Sequence, residues 1–404
     1  MRSTIFPAVL SLPLVLALTA CGESDPESAT ESPERERTAT QAAQPRVVVA
    51  SDEGVTVVDA NSLETIDSFA TKSRPKLAVS GDDRHVFTMQ YDAGVVGVVD
   101  SGSWTVAHGD HGHSYVTAPS QLKTDFPRGT SYHVVSDDER SVVWFDTDGS
   151  FQAFDWKGLE DDQVDLATIE TKSPHHGVAA PLDGGGFLVS VANSEEEGAI
   201  GVAVLDDHGH EQQRIETCPG LHGEAHLGGD TYGFGCSTGM LVVSDGEGTN
   251  IASPRDGAGS GHLASADGSS IVVGDLGAEG DAAADTHLAF YDVKTGGAKQ
   301  VDVGVEFSGL ERDGVNTVVL GTDGALHVFD EQGKEMAHHE VVDPWTTFED
   351  WQEPVPSFVV GDGIAYVTDP RDKSITAFDL TTGKERATGT LPDVPASLVV
   401  TNAG

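Results

Sequence analysis

The chain has 404 residues, and 23 Lys+Arg against 66 Asp+Glu set its formal net charge at −43. Such acidity argues against nucleic acid and against a polybasic grip on anionic lipid, since both depend on Lys and Arg. It favours cations and solubility, and 47 glycines with 18 prolines point to many turns rather than long helices.

Arg2 precedes an apolar run from Ile5 to Leu18, which ends in Leu18-Thr19-Ala20-Cys21. A short positive start, a brief apolar stretch and small residues before a break make a secretory signal. The run is too short to cross a bilayer as a mature segment. Its ending resembles the bacterial lipobox, whose cysteine becomes the acylated N-terminus. Residues 1–20 are therefore read as a lipoprotein signal and Cys21 as the lipidation site, which places the protein outside the cytoplasm, anchored to the bacterial cell membrane. Residues 21–45 are rich in Glu, Ser, Thr, Ala and Pro without apolar periodicity. A segment of that composition cannot bury enough surface to offset its ordering entropy, so a disordered tether is expected.

From residue 46 to 404 a single β-propeller is expected. Short Val/Ile/Phe-rich runs recur between Gly, Asp and Asn turns, the signature of strands. They repeat as a unit: a small or His residue, an apolar strand, a Ser/Asp/Gly turn, and further strands ending in Asp. Lys76-Leu77-Ala78-Val79-Ser80-Gly81-Asp82 leading to Val98-Val99-Asp100 is one instance, and Phe358-Val359-Val360-Gly361-Asp362 leading to Ala377-Phe378-Asp379 another. Related openings start near Ser131, His176, His222, Ser260, Ser308 and Ser397. The spacing of about 40 to 50 residues is the period of a propeller blade. The last opening lacks following strands, and Arg46 to Phe69 lacks an opening strand. Pairing the chain ends would complete one blade and close the ring. Eight blades are expected, with seven as the alternative.

Cys218 and Cys236 remain once Cys21 carries lipid. An even pair in an exported chain reads as a disulfide; two soft metal ligands would suit a reducing compartment better.

The 16 histidines follow the repeat. The innermost strand of each blade lines the central channel, and its side chains alternate between two faces. Aligned on the turn that follows, His176 and His222 coincide, and His133 and His262 fall two residues later on the same face. Glu224 and His226 occupy the second and fourth positions of their own blade. Four consecutive blades would thus aim imidazoles towards one end of the channel. Converging neutral imidazoles, with a carboxylate such as Glu224 or with His226, form a tetrahedral zinc site, whereas a calcium site would ask for oxygen ligands. A second cluster, His108-Gly109-Asp110-His111-Gly112-His113, lies between two blades on a long connection through Pro119 and Pro127. Its composition suggests a flexible loop that chelates metal locally. His208 with His210, and His338 with His339, read as surface pairs in outer turns.

The signal, the His108–His113 loop, Pro174-His175-His176-Gly177-Val178-Ala179 and Cys218-Pro219-Gly220-Leu221-His222-Gly223-Glu224-Ala225-His226 together resemble the AztD family. Its members are extracytoplasmic zinc chaperones that hand metal to the solute-binding protein of a zinc ABC importer. The resemblance spans roughly residues 46 to 404. It implies a zinc site in the channel and a mobile His-rich loop for capture or transfer, and it carries those roles to His176, His222 and the 108–113 loop. His133 and His262 join through strand register alone. The expected protein is a monomeric, non-enzymatic zinc chaperone. The alternatives are a lactonase- or hydrolase-type propeller enzyme with Glu224 as base, and a scaffold with structural histidines.

Overall fold

Runs such as Arg46–Ser51 and Val95–Asp100 are buried along their whole length, because strands covered on both faces read as continuous apolar sequence. The outer strands, such as Thr65–Ala70 and Glu335–Glu340, are largely exposed and polar. The computed structural model describes residues 1, 37–109, 111–171, 173–194, 198–277, 286–346 and 353–403. The expected signal, Cys21, most of the tether and Asp110 lie outside the described residues.

From Arg37 onward the chain packs as one compact unit. The described residues hold no α-helix; they form eight four-stranded antiparallel sheets and one three-stranded sheet. The fold is all-β and propeller-like. The opening strands of the sheets are Ser397–Thr401, Lys76–Val79, Val134–Ser136, Ala179–Pro181, His222–His226, Leu263–Ala264, Phe307–Asp313 and Ser357–Gly361. The C-terminal strand pairs with Arg46–Ser51, so the chain ends share one sheet, as the sequence suggested. Opening strands lie against one another: Ser397–Thr401 touches both Lys76–Val79 and Ser357–Gly361, and Val134–Ser136 touches Ala179–Pro181.

The core is divided among the contacts between neighbouring sheets. Val178, Leu188 and Val202 of one sheet meet Leu221, Phe234 and Leu241 of the next. The final sheet meets the first in the same way, Val359, Tyr366 and Ile375 against Val47, Val49 and Val58. Each fully buried side chain of this kind stabilises by about 1.5–3 kcal/mol.

Two segments depart from the sequence reading. Within the stretch assigned to the tether, Thr38–Thr40 form a strand paired with His111–Val116. The segment read as a flexible His-rich loop is a β-hairpin, Ser103–His108 against His111–Val116, inserted before the last strand of the Lys76–Val79 sheet. Alternating residues such as Trp104, Val106 and Tyr115 carry strand propensity that the glycines between the histidines obscure.

Candidate metal centre

Three consecutive sheets place a histidine at the start of the opening strand. His133 directly precedes Val134–Ser136, His176 lies just before Ala179–Pro181, and His222 begins its own strand. Each offers one ring nitrogen, and these atoms all lie within 4.8 Å of one another. The ring centroids of His133 and His176 are 5.3 Å apart, those of His176 and His222 5.2 Å, and those of His133 and His222 5.9 Å.

The outward-facing nitrogens fix the tautomers. His222 Nδ1 is 2.7 Å from the carbonyl oxygen of Gly261. A carbonyl only accepts, so Nδ1 carries the proton and, in the neutral ring, Nε2 is a bare lone pair. His176 Nδ1 is likewise 2.7 Å from Asp146 Oδ2. The two Nε2 atoms then face each other at 3.3 Å. Two nitrogens bound to one tetrahedral zinc at about 2.0–2.1 Å stand roughly 3.3 Å apart. Partners on the far ring nitrogen are what orient metal-binding imidazoles. His133 Nδ1 sits 3.0 Å from Glu224 Oε2. That contact is not aligned as a hydrogen bond, and among the described residues the buried oxygens Glu224 Oε2 and Asp146 Oδ1 have no hydrogen-bond partner. Converging lone pairs backed by underused carboxylate oxygens fit a cation.

Burial pushes the His222 pKa down, the Gly261 hydrogen bond opposes this, and the neighbouring His133, His176 and Lys76 add to the lowering. The ring is thereby kept neutral and available. Burial would raise the Glu224 carboxyl, but His133, Lys76 and His222 outweigh it and hold the pKa at about 2. Lys76 is itself lowered by burial, with Glu224 and Asp146 opposing, and its Nζ donates to the Tyr132 carbonyl at 3.1 Å. The Tyr132 ring meets His176 edge-on and stacks on Tyr91. Lys76, Tyr91, Tyr132, His133, His176 and His222 line a cavity of about 630 Å³, with Arg74, Glu353 and Ser397 at its other walls.

Comparison with known proteins gives the geometry a context. No family model matches the chain. A curated relative, the zinc chaperone AztD of Citrobacter koseri, is 27% identical over 359 residues, covering 85% of this chain and 83% of the relative. A crystal structure of C. koseri AztD superposes with a TM-score of 0.82 at 25% identity, covering 89% of this chain and 98% of that one. The chain is AztD-like. Apo AztD from the same organism gives a TM-score of 0.79 at 24% identity, covering 89% of this chain and 98% of that one. The dihydro-heme d1 dehydrogenase NirN in complex with DHE shares the fold alone, with a TM-score of 0.60 at 13% identity, covering 92% and 78%.

In this AztD-like chain the other sequence candidates separate. His262 does not join the three-histidine group among the described residues. Its sheet contributes the Gly261 carbonyl instead, while the amides of Gly261 and His262 both donate to Asp275 Oδ1, at 2.7 and 2.8 Å. His226 also stands apart, stacked on Tyr232 with Nε2 2.8 Å from the Gly229 carbonyl. A bulge between His222 and Glu224 breaks the simple alternation that would align His222 with His226. Gly223 forms it at φ 73°, where a Cβ would come within 2.5 Å of the Gly261 carbonyl. Glu224 lies behind His133. His175 points the opposite way from His176 and is buried, with Nδ1 on the Ser173 carbonyl and Nε2 on Ser190 Oγ.

Cys218 and Cys236 are disulfide-bonded. Cys236 follows Gly235, the register partner of His222, so the bond ties the approach to His222 onto the neighbouring strand. The hairpin gathers His108, His111 and His113 on one face, their ring centroids 5.0–5.9 Å apart, all exposed. Sequence reasoning missed Asp146 and the Gly261 carbonyl. Asp146 follows the buried run Val142–Phe145, where an Asp reads as a turn residue.

Proposed function

We propose that the protein is an extracytoplasmic zinc metallochaperone, with His133, His176 and His222 as the zinc-binding residues in the channel of an eight-bladed propeller. The observation that carries this is the 3.3 Å approach of two Nε2 lone pairs, each oriented from behind. The relative named a zinc chaperone supports the same reading and favours cargo handling over catalysis. Eight blades and a closed ring are supported by the eight four-stranded sheets, by the pairing of the chain ends, and by the shared core of the final and first sheets.

Zinc is cargo here. His176 and His222 orient their lone pairs through Asp146 and Gly261, His133 is backed by Glu224, and the adjoining cavity admits an incoming donor. Metal then leaves by ligand exchange, one bond at a time. The exposed histidine hairpin, His108, His111 and His113, serves as the capture or transfer station. The receiving partner is the solute-binding protein of a zinc ABC importer. The disulfide suits an oxidising compartment. Among the described residues no helix is long and apolar enough to cross a membrane. Cys21 supplies a lipid anchor, with residues 1–20 as its signal, and the protein works as a monomer.

The test is transfer. Zinc-loaded protein is mixed with the apo solute-binding protein of a zinc importer, the two are separated, and metal is measured on each. Movement faster than spontaneous release into a chelator supports the chaperone reading. Equal rates overturn it.

A further inference from the structure

The outer strands of the Phe307–Asp313 sheet carry a second convergence of imidazoles and carboxylates, made of residues separate from the three-histidine group. His327 lies on the strand Ala325–Phe329, and its side chain is only 5% exposed. Directly across the ladder, on the outermost strand Glu335–Glu340, stands His338. The two rings meet edge to face with centroids 4.5 Å apart.

Both nitrogens of His327 face carboxylates: Nδ1 is 3.0 Å from Glu335 Oε1 and Nε2 is 3.3 Å from Asp323 Oδ1. His338 repeats the arrangement more loosely, with Nδ1 3.5 Å from Glu335 Oε1 and Nε2 3.9 Å from Asp323 Oδ2. A neutral imidazole has one N–H and satisfies one acceptor. Its other nitrogen then presents a lone pair to a carboxylate oxygen, an unfavourable meeting unless positive charge intervenes. Asp323, His327 and His338 each bring a ligand atom within 4.8 Å of the others. Gly321 lets the backbone approach these atoms closely, since a Cβ there would stand 2.8 Å from His327 Nε2 and 2.6 Å from Asp323 Oδ1.

We propose that Asp323, His327 and His338, with Glu335 beside both rings, form a separate site for a divalent transition-metal cation. Two imidazole nitrogens with carboxylate oxygens suit zinc, whereas calcium would take oxygen ligands throughout. His338 is 48% exposed, so the site opens to solvent and exchanges freely. It stands independently of the channel assignment.

The test uses full-length protein in which His108, His111, His113, His176 and His222 are all replaced by Ala, titrated with Zn²⁺ by calorimetry and with Co²⁺ by visible absorption. One equivalent should still bind, and adding His338→Ala or Asp323→Asn should weaken it at least tenfold. No uptake by the five-residue variant, or uptake indifferent to His338→Ala, overturns the proposal. Should that variant fold poorly, the same comparison is made in otherwise unsubstituted protein, where His338→Ala should remove one equivalent. Because His338 sits on an outer strand, the metal-free melting temperature should be unchanged by its loss.

Discussion

Asp146 Oδ2 holds His176 Nδ1 at 2.7 Å, turning Nε2 of that ring towards its neighbour. Through this contact a residue outside the proposed metal-binding group sets the direction of an imidazole within it. Replacing Asp146 with Ala should weaken zinc binding by about 10- to 100-fold, the usual cost of losing such a partner. Chelator competition measures this, and an unchanged Kd would show that His176 needs no orientation.

Burial lowers His222 and His262, and the positive charge of nearby Lys76 adds to that lowering. The same charge repels a bound cation. Lys76→Met should therefore tighten zinc binding and slow its release into a chelator, with each tenfold gain corresponding to about 1.4 kcal/mol. Weaker binding would mean that the lysine supports the site, through the Tyr132 carbonyl that it caps.

The pH dependence follows from three lowered imidazoles. Burial is the first cause at His175, His222 and His262 alike. A histidine lowered in the folded state takes up protons more readily when unfolded. Its contribution to stability is therefore complete above the ordinary imidazole value of about 6.5 and is lost as pH falls through the folded value. The metal-free protein should melt at progressively lower temperature below about pH 6.5. Zinc competes with protons for the same lone pairs. Because His222 is lowered, its hold on zinc should persist somewhat below pH 6.5 before failing. Melting and zinc retention measured from pH 7.5 to 4.5 check both, and a flat profile contradicts the imidazole assignment.

The disulfide closes a loop with a sequence separation of 18 residues. Cross-links of about this span stabilise by about 3 kcal/mol in the chain-entropy view. A Cys218→Ser, Cys236→Ser double variant should melt lower by a corresponding margin. It should also bind zinc more weakly, because the segment approaching His222 is freed. Loss of stability with unaltered affinity would show that the strand pairing alone positions His222.

Much of this architecture was legible in the sequence. The recurring strand unit foretold the four-stranded sheets, and the orphan strand at Ser397–Thr401 foretold the pairing of the chain ends. His133, His176 and His222 came from register and do converge. The failures have local causes. A glycine bulge at Gly223 and the intrusion of the Gly261 carbonyl disturb simple alternation, which is why His226 and His262 stand aside. Glycines between the histidines of the 108–113 segment disguised a hairpin as a loop. His338 read as a surface residue because its partner, His327, is found only once the hairpin register is known.

The most direct measurement is the metal content of protein purified without added metal, followed by competition against a zinc chelator. The account predicts tightly held zinc in the channel, lost in His176→Ala and in His222→Ala and retained when His108, His111 and His113 are all replaced. Protein that carries no metal and shows no rise in melting temperature on adding zinc would contradict it.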